Sequence, residues 1–566
     1  MNKSKETDVY LNIVSAGQND NINLMEGSMN NDNLSGTNQD DILIGREGND
    51  RLYGGEGNDT YVFAKGHGQD YVSDSGGKSD TIQFLDVNFD EVKFSKNDTD
   101  LIIYGYNEGD SIVISNFFYW TGDYAIENFV FKDRTVTLEQ LRTEGMELYG
   151  TAGNDSISIS VGKAIMHGGD GNDTLRASTN SNANDVLDGG AGNDTLWGYG
   201  GDDILIGGTG DDKLYGGEGN DTYVFAKGHG KDYVSDSGGK SDTIQFLDVN
   251  FNEVKFRKNG NTLIIYGYNE GDSIEVSDFF YGGDRYAIEN FVFKDKTVTL
   301  EQFRREGMML YGTNNNDEIN FTTGKAIIFG GDGDDLICGG NDDTILDGGN
   351  GNDNMQVKGG NNILIGGEGK DTLYTNYDGN NIFIGGTGND YLSGGGGNDI
   401  YIFSKGHGQD MVWDGNVLLH GENGKEDTII FTDVNFYEVT YRKVGNTLFL
   451  MGYNEGDVVE IRDCLSNDGN HWAAVEKFVF KDRVVTLSQI KAAFENNDNK
   501  NGDYHIYLSN SINQNNQHGY PLVTSQVQQL VNAMASLNTN AIDGMQICEL
   551  LNQNGLLNNF ATCFEK

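Results

Sequence analysis

The sequence predicts an all-β fold: parallel β-roll units interleaved with β-rich cap modules, followed by a small α-helical C-terminal tail. Three observations predict it. A nine-residue phrase, G-G-x-G-x-D-x-U-x with U apolar, runs unbroken from Gly189 to Val224 as GGAGNDTLW, GYGGDDILI, GGTGDDKLY and GGEGNDTYV. The 566 residues hold 80 glycines but 1 proline, which points to a solenoid and away from collagen or a disordered tract. A longer segment, YVFAKGHG or a close copy, recurs at Tyr61, Tyr223 and Tyr401.

Each position of the phrase has a physical task. The glycines admit backbone angles that a side chain forbids, so six residues turn tightly. The apolar eighth residue points inward from a short strand. Two phrases, or 18 residues, complete one coil, so loops on the same edge stack directly. The aspartate at the sixth position offers a hard oxygen, and stacked loops bring such oxygens together with backbone carbonyls. That combination suits calcium, and several Ca2+ ions are expected.

The expected metal ligands follow the arrays. In the first they are Asp32, Asp41, Asp50 and Asp59, continuing to Asp70 and Asp80 in the segment beyond. In the second they are Asp155, Asp173, Asp194, Asp203, Asp212 and Asp221, then Asp232 and Asp242. In the third they are Asp317, Asp335, Asp353, Asp371, Asp390 and Asp399, then Asp410 and Asp427. Asn362 and Asn381 stand where aspartate is expected, keeping an oxygen and losing a charge. One residue, Thr375, is extra, and a bulge is expected at the row that begins at Asn376.

The net charge is −48, with a pI near 4.3. Phosphate would be repelled, so nucleic acid is excluded as a partner, and an anionic membrane surface is disfavoured on the same ground. Of the 87 acidic residues, 22 are aspartates at the fixed turn position, where they amount to a demand for cations. No run of 18 apolar residues occurs, so no transmembrane helix is predicted, and the N-terminus has no signal-peptide apolar region. The cysteines Cys338, Cys464, Cys548 and Cys563 are scattered; isolated small hydrophobes and a Cys548–Cys563 disulfide are both open readings.

Each array runs into a module with alternating strands, VKFSKNDTDLIIYG and DSIVISNFF in the first copy, around the turn YNEGD. It ends in a short helix with Thr137 and Gln140 as a capping box, echoed by Thr299 with Gln302 and Thr486 with Gln489. The module is read as a cap over open sheet edges. His67, His229 and His407 occupy the third phrase position and are expected to face solvent. The acid pairs Glu108/Asp110, Glu270/Asp272 and Glu455/Asp457 are expected to serve the turn rather than catalysis. No catalytic residue is assigned, and the chain is read as a non-enzyme.

Beyond the polar linker ENNDNKNGD the glycine phrase stops. Ser525 and Gln528 form a capping box, and Val527, Leu530, Val531 and Met534 make one apolar helix face. The tail reads either as an export signal or as a docking helix pair. The boundaries are 1–62 for the N-terminal segment and first array, 63–145 for the first cap, and 146–224 for the second array. There follow 225–308 for the second cap, 309–402 for the third array, 403–495 for the third cap and 496–566 for the tail.

These rows and caps, with the tail around LVNAMASL, resemble the RTX (repeats-in-toxin) haemolysin-type calcium-binding proteins and their haemolysin-type calcium-binding-related domains. The resemblance implies an extracellular protein of Gram-negative bacteria, exported by a type I secretion transporter and folded by calcium outside the cell. Its host-cell or surface target stays unknown. The chain lacks the family's long apolar pore-forming run, H-E-x-x-H, G-x-S-x-G and Asp-Pro. A toxin-type segment is the leading expectation, a calcium-stiffened adhesin or surface-layer protein the alternative, and an enzyme with an unrecognised site a third.

Overall fold

The computed structural model describes residues 22–119, 126–179, 182–281, 283–375, 379–415, 426–466 and 475–495, and the backbone of Tyr504–Ile506. Among these the chain is nearly all β, with short α-helices at Leu138–Glu144, Leu300–Glu306 and Leu487–Glu495. The predicted tail helix, the Cys548 and Cys563 pair and the Asn376 bulge lie outside the described residues. The chain divides into two compact units, Met1–Val254 with Ile265–Thr297, and Lys255–Ile264 with Val298–Lys566.

In the first unit, parallel strands pair at the predicted coil step. Ile42 lies beside Thr60, Leu187 beside Leu205, and Leu196 beside Leu214. The eighth-position side chains Leu43, Leu52, Leu187, Leu196, Leu205 and Leu214 are fully buried, so each sheet contributes a file of leucines to the interior. Each such burial stabilises the roll by about 1.5–3 kcal/mol.

The glycines are demanded by stacking as well as by turning. Gly208 has φ +103°, and a methyl group there would overlap the carbonyl oxygen of Gly190 one coil earlier. Gly210, at φ +132°, meets the Gly192 carbonyl in the same way.

The segment after the first array continues the coil, with Arg51 beside Tyr71 and Thr60 beside Thr81. The module beyond behaves differently on its two edges. On one sheet, Asn128–Val130 pairs parallel with Thr81–Phe84, and antiparallel Thr135–Thr137 closes that edge. On the other, Ser111–Ile114 continues the roll beside Gln69–Ser73 and leads through Asp100–Tyr104 to Lys93–Asn97.

That meander reverses direction twice, so Lys93–Asn97 is again parallel to the roll. Met146–Tyr149 pairs with it through Leu148 and Phe94, and then starts the second array beside Ala164–Asp170. The module therefore caps one sheet and hands the other to the next array.

In the second unit the same step joins Ile327 to Ile345 and Leu346 to Leu364. It lengthens by one residue where Ile363 meets Ile382, as the extra residue requires. A third meander, Thr440–Val444, Thr447–Met451 and Val458–Ile461, follows Gln409–Val412, and Tyr504–Ile506 pairs antiparallel on its outer strand. The predicted capping boxes form: Gln140 N–H donates to Thr137 Oγ1 at 3.2 Å, and Thr137 N–H to Gln140 Oε1 at 2.9 Å.

Candidate metal centres

The turns hold two ladders of aspartates in each array. On one edge of the second array the backbone N–H of Asp155 donates to Asp173 Oδ1, Asp173 to Asp194, and Asp194 to Asp212, each at 2.7 Å. On the other edge Asp185 donates to Asp203 at 2.7 Å, Asp203 to Asp221 at 2.8 Å, and Asp221 to Asp242 at 2.8 Å. The first array repeats this through Asp32, Asp50 and Asp70, and through Asp41, Asp59 and Asp80. In the third, one ladder runs through Asp317, Asp335, Asp353, Asp371, Asp390 and Asp410. The other passes from Asn362 through Asn381 and Asp399 to Asp427.

From the second member of each ladder onward, one oxygen of each aspartate is thus spent on its neighbour, whereas Asp41 Oδ1, at the head of its ladder, is buried without a partner. The second oxygen separates the rows into classes. In the opening rows a Ser or Thr at the second phrase position satisfies it: Ser28, Thr37, Thr151 and Thr313 donate backbone N–H and hydroxyl to Oδ2 of Asp32, Asp41, Asp155 and Asp317. In later rows that residue is glycine, or Arg46 and Tyr199 in the rows of Asp50 and Asp203. Oδ2 of Asp50, Asp59, Asp173, Asp194, Asp203, Asp212, Asp221, Asp335, Asp353, Asp371 and Asp390 is then buried with no hydrogen-bond donor. Asp185, unforeseen from the sequence, joins this set.

These orphaned oxygens point at the first glycine of their own row. A methyl group on Gly189 would strike Asp194 Oδ2 and lie 2.6 Å from the Gly207 carbonyl; on Gly348 it would strike Asp353 Oδ2 and lie 2.7 Å from the Gly366 carbonyl. In these rows the nearest atoms are hard oxygens, a donor set suited to Ca2+.

Burial also strains the charge. It raises the carboxyl of Asp194, Asp203, Asp335 and Asp353 to about 6. Asp59, Asp185, Asp212 and Asp390 rise to about 7, and Asp221 and Asp371 to about 8. A buried carboxylate without a counter-charge takes up a proton; a divalent cation would hold it ionised.

The fifth phrase position carries a second, exposed ladder running the opposite way. Asn193 N–H donates to Asn172 Oδ1, and Asp211 N–H to Asn193 Oδ1, both at 2.9 Å. These side chains tie successive turns together without entering the buried spaces.

The histidines differ from expectation: all three are buried. His67 Nδ1 is 2.6 Å from Asp70 Oδ2, and its Nε2 is 2.7 Å from the Tyr106 hydroxyl. The copies are His229 with Asp232 and Tyr268, and His407 with Asp410 and Tyr453. A carboxylate accepts, so Nδ1 donates to it, and Nε2 faces the tyrosine hydroxyl. Both oxygens of Asp70, Asp232 and Asp410 are consequently engaged within the protein. The partner tyrosine lies 39 residues from the histidine in the first two copies, too far to be seen in the phrase.

Of the acid pairs, Asp110 closes the same turn. Its Oδ2 accepts Gly66 N–H at 2.6 Å and its Oδ1 accepts Gly68 N–H at 3.0 Å; Asp272 and Asp457 do likewise. The other ladder ends on a glutamate absent from the predicted set: Asp80 N–H donates to Glu127 Oε2 at 2.8 Å, with Glu289 and Glu476 as its copies.

Comparison with known proteins agrees with this architecture. The chain carries RTX calcium-binding nonapeptide repeats, matched at residues 26–61, 160–196, 179–214, 197–231, 347–376 and 375–409. It also carries haemolysin-type calcium-binding-protein-related domains, at residues 100–136 and 263–298. It is 25% identical to the plasmid hemolysin of Escherichia coli over 158 residues, 26% of this chain and 15% of that protein. With the chromosomal hemolysin of Escherichia coli it shares 25% identity over 151 residues, 25% of this chain and 14% of that protein. The similarity thus spans about one seventh of the length of these relatives. The extracellular lipase LipA from Serratia marcescens aligns over 56% of this chain and 37% of its own, at 18% identity and a TM-score of 0.13.

Proposed function

We propose that this chain is a secreted, non-enzymatic calcium-binding protein of the toxin-associated RTX type, whose rolls condense on extracellular Ca2+ after export by a type I transporter. The observation that carries this reading is the series of buried aspartate Oδ2 atoms without donors, each beside a glycine whose missing side chain leaves room. The ligand set we propose is the sixth-position aspartates with such an oxygen, including Asp185. Asp70, Asp232 and Asp410, expected as ligands from the sequence, are left out because the rings of His67, His229 and His407 sit against their second oxygens and, among the described residues, no group of three ligating side chains converges there.

The energetics favour a switch. Without calcium, like charges a few ångströms apart repel by about 1 kcal/mol per pair even at high dielectric. With a dissociation constant of about 10⁻⁴ M and about millimolar calcium, each site adds about 1.4 kcal/mol. Nearest-neighbour stacking makes the transition cooperative. The chain stays extended where calcium is scarce and condenses where it is abundant, which favours one-way passage through a channel.

The test is export with a type I transporter into medium with and without calcium, alongside a calcium titration of the purified chain by scattering. The proposal expects release of the chain and a sharp fall in radius as calcium rises. A radius indifferent to calcium contradicts the folding step, and retention in the cell contradicts the export step.

A further inference from the structure

The last row of the first array differs from those before it. Its eighth position is Tyr61, in place of the leucine that fills the interior in Asp50's row. The tyrosine ring is fully buried, and its hydroxyl donates to Asp74 Oδ2 at 2.6 Å. Asp74 lies outside the nonapeptide phrase, in the loop DSGGKSD, and its Oδ1 accepts Gly76 N–H at 3.0 Å. Asp59, Asp74 and Asp80 are all buried, and each offers one oxygen within 4.8 Å of the others.

A cluster of acids alone would mean little. Here Asp59 Oδ2 is an orphan, fully buried and aimed into the cluster. A methyl on Gly54 would meet Asp59 Oδ2, the Tyr61 hydroxyl and Asp74 Oδ2 together, the last at 2.7 Å. Three oxygens of three side chains thus converge on one small space. Burial, and after it the neighbouring carboxylates, push Asp80 up to about 8 and Asp59 to about 7, and burial raises Asp74.

We propose that Asp59, Asp74 and Asp80, with the Tyr61 hydroxyl, form a divalent-cation site that takes the place of a coil site in Asp59's row. Its ligands are three side-chain carboxylates, where a coil site combines one carboxylate with backbone carbonyls. Three carboxylates carry more charge than one Ca2+ neutralises, so this site binds more tightly than the coil sites and fills first. An all-oxygen ligand set of carboxylates and a hydroxyl suits Ca2+, whose ligands stand about 2.3–2.6 Å from the ion.

The arrangement recurs in the same unit as Asp221, Asp236 and Asp242, where the Tyr223 hydroxyl donates to Asp236 Oδ2 at 2.7 Å and Asp221 Oδ2 is again an orphan. In the second unit Asp399, Asp414 and Asp427 form the same group. The site anchors the C-terminal end of each roll, at the edge opposite the histidine latch, which is the His67, Asp70 and Tyr106 cluster and its copies. The inference rests on the calcium-binding reading above.

The experiment compares the full chain with the double variant Asp74→Asn, Asp236→Asn by equilibrium dialysis against calcium, with circular dichroism recorded on the same samples. The expected result is a loss of two ions per chain, drawn from the tightest class, with the β-signal retained at saturating calcium. An unchanged ion count in a folded variant overturns the proposal. An unaltered chain that binds no calcium overturns the parent reading instead. Should the variant not fold, crystals of the unaltered chain grown with calcium decide: anomalous density among Asp59, Asp74 and Asp80 supports the site, and its absence there overturns it.

Discussion

The backbone N–H of Asp194 donates to Oδ1 of Asp212, one coil further on, at 2.7 Å, while Oδ2 of Asp212 is buried with no donor at all. One carboxylate thereby does two tasks. Its first oxygen locks adjacent coils in register, and its second creates a need for positive charge that the protein itself leaves unmet.

That need sets a pH dependence. Asp212 is raised to about 7 and Asp221 and Asp371 to about 8 in the folded chain, from 3.8 when free. Between those limits the folded calcium-free chain binds more protons than the unfolded one, so its stability falls as pH rises. In chelator, lowering the pH from about 8 to about 5 is therefore expected to increase β-signal, with protons replacing calcium. A β-signal in chelator that grows with rising pH would contradict the burial argument.

Neutralising the ladder is expected to uncouple folding from calcium in the middle array. The combined variant Asp194→Asn, Asp203→Asn, Asp212→Asn, Asp221→Asn keeps the interstrand hydrogen bonds and loses the charges. Its calcium midpoint, followed by circular dichroism, should rise at least tenfold, about 1.4 kcal/mol or more. The exposed fifth-position variant Asp202→Asn, Asp211→Asn should leave it in place.

Gly208→Ala tests the stacking directly. A methyl there overlaps the Gly190 carbonyl, and the left-handed backbone alone costs about 1–3 kcal/mol. The calcium midpoint is expected to rise, whereas Lys213→Ala, at an exposed strand position, should not move it.

The histidine latch predicts a stability loss without an ion loss. His229→Ala strands Asp232 Oδ2 and the Tyr268 hydroxyl, both buried, at about 1–3 kcal/mol for each unsatisfied group. Tyr268→Phe removes only one bond and should lower the melting temperature less. The number of bound calcium ions should match the unaltered chain in both; a missing ion in either would return Asp232 to the ligand set.

Much of this was readable in the sequence because the phrase is strictly local. The coil step, the leucine file through Leu196 and Leu214, and the Thr137–Gln140 capping box all follow from spacing alone. What escaped depends on contacts between distant segments or on rows that have drifted. Asp185 sits in NSNANDVLD, where the glycines that mark a row are gone, yet its coil position is intact. Asp74 falls outside the phrase, and only the Tyr61 hydroxyl reveals its direction. His67 looks exposed from its place in a turn, and Tyr106, arriving from the meander, buries it. The rows whose Oδ2 is satisfied locally could have been found, since a hydroxyl residue, Ser28, Thr37, Thr151 or Thr313, stands at their second position.

Limited proteolysis of the purified chain, stripped of metal at neutral pH and then resupplied with calcium, tests the account at its centre. Rapid digestion in chelator and a resistant core spanning the arrays once calcium returns is the predicted outcome. A metal-free sample yielding the same resistant core would show that the rolls hold themselves together without cations, and would contradict it.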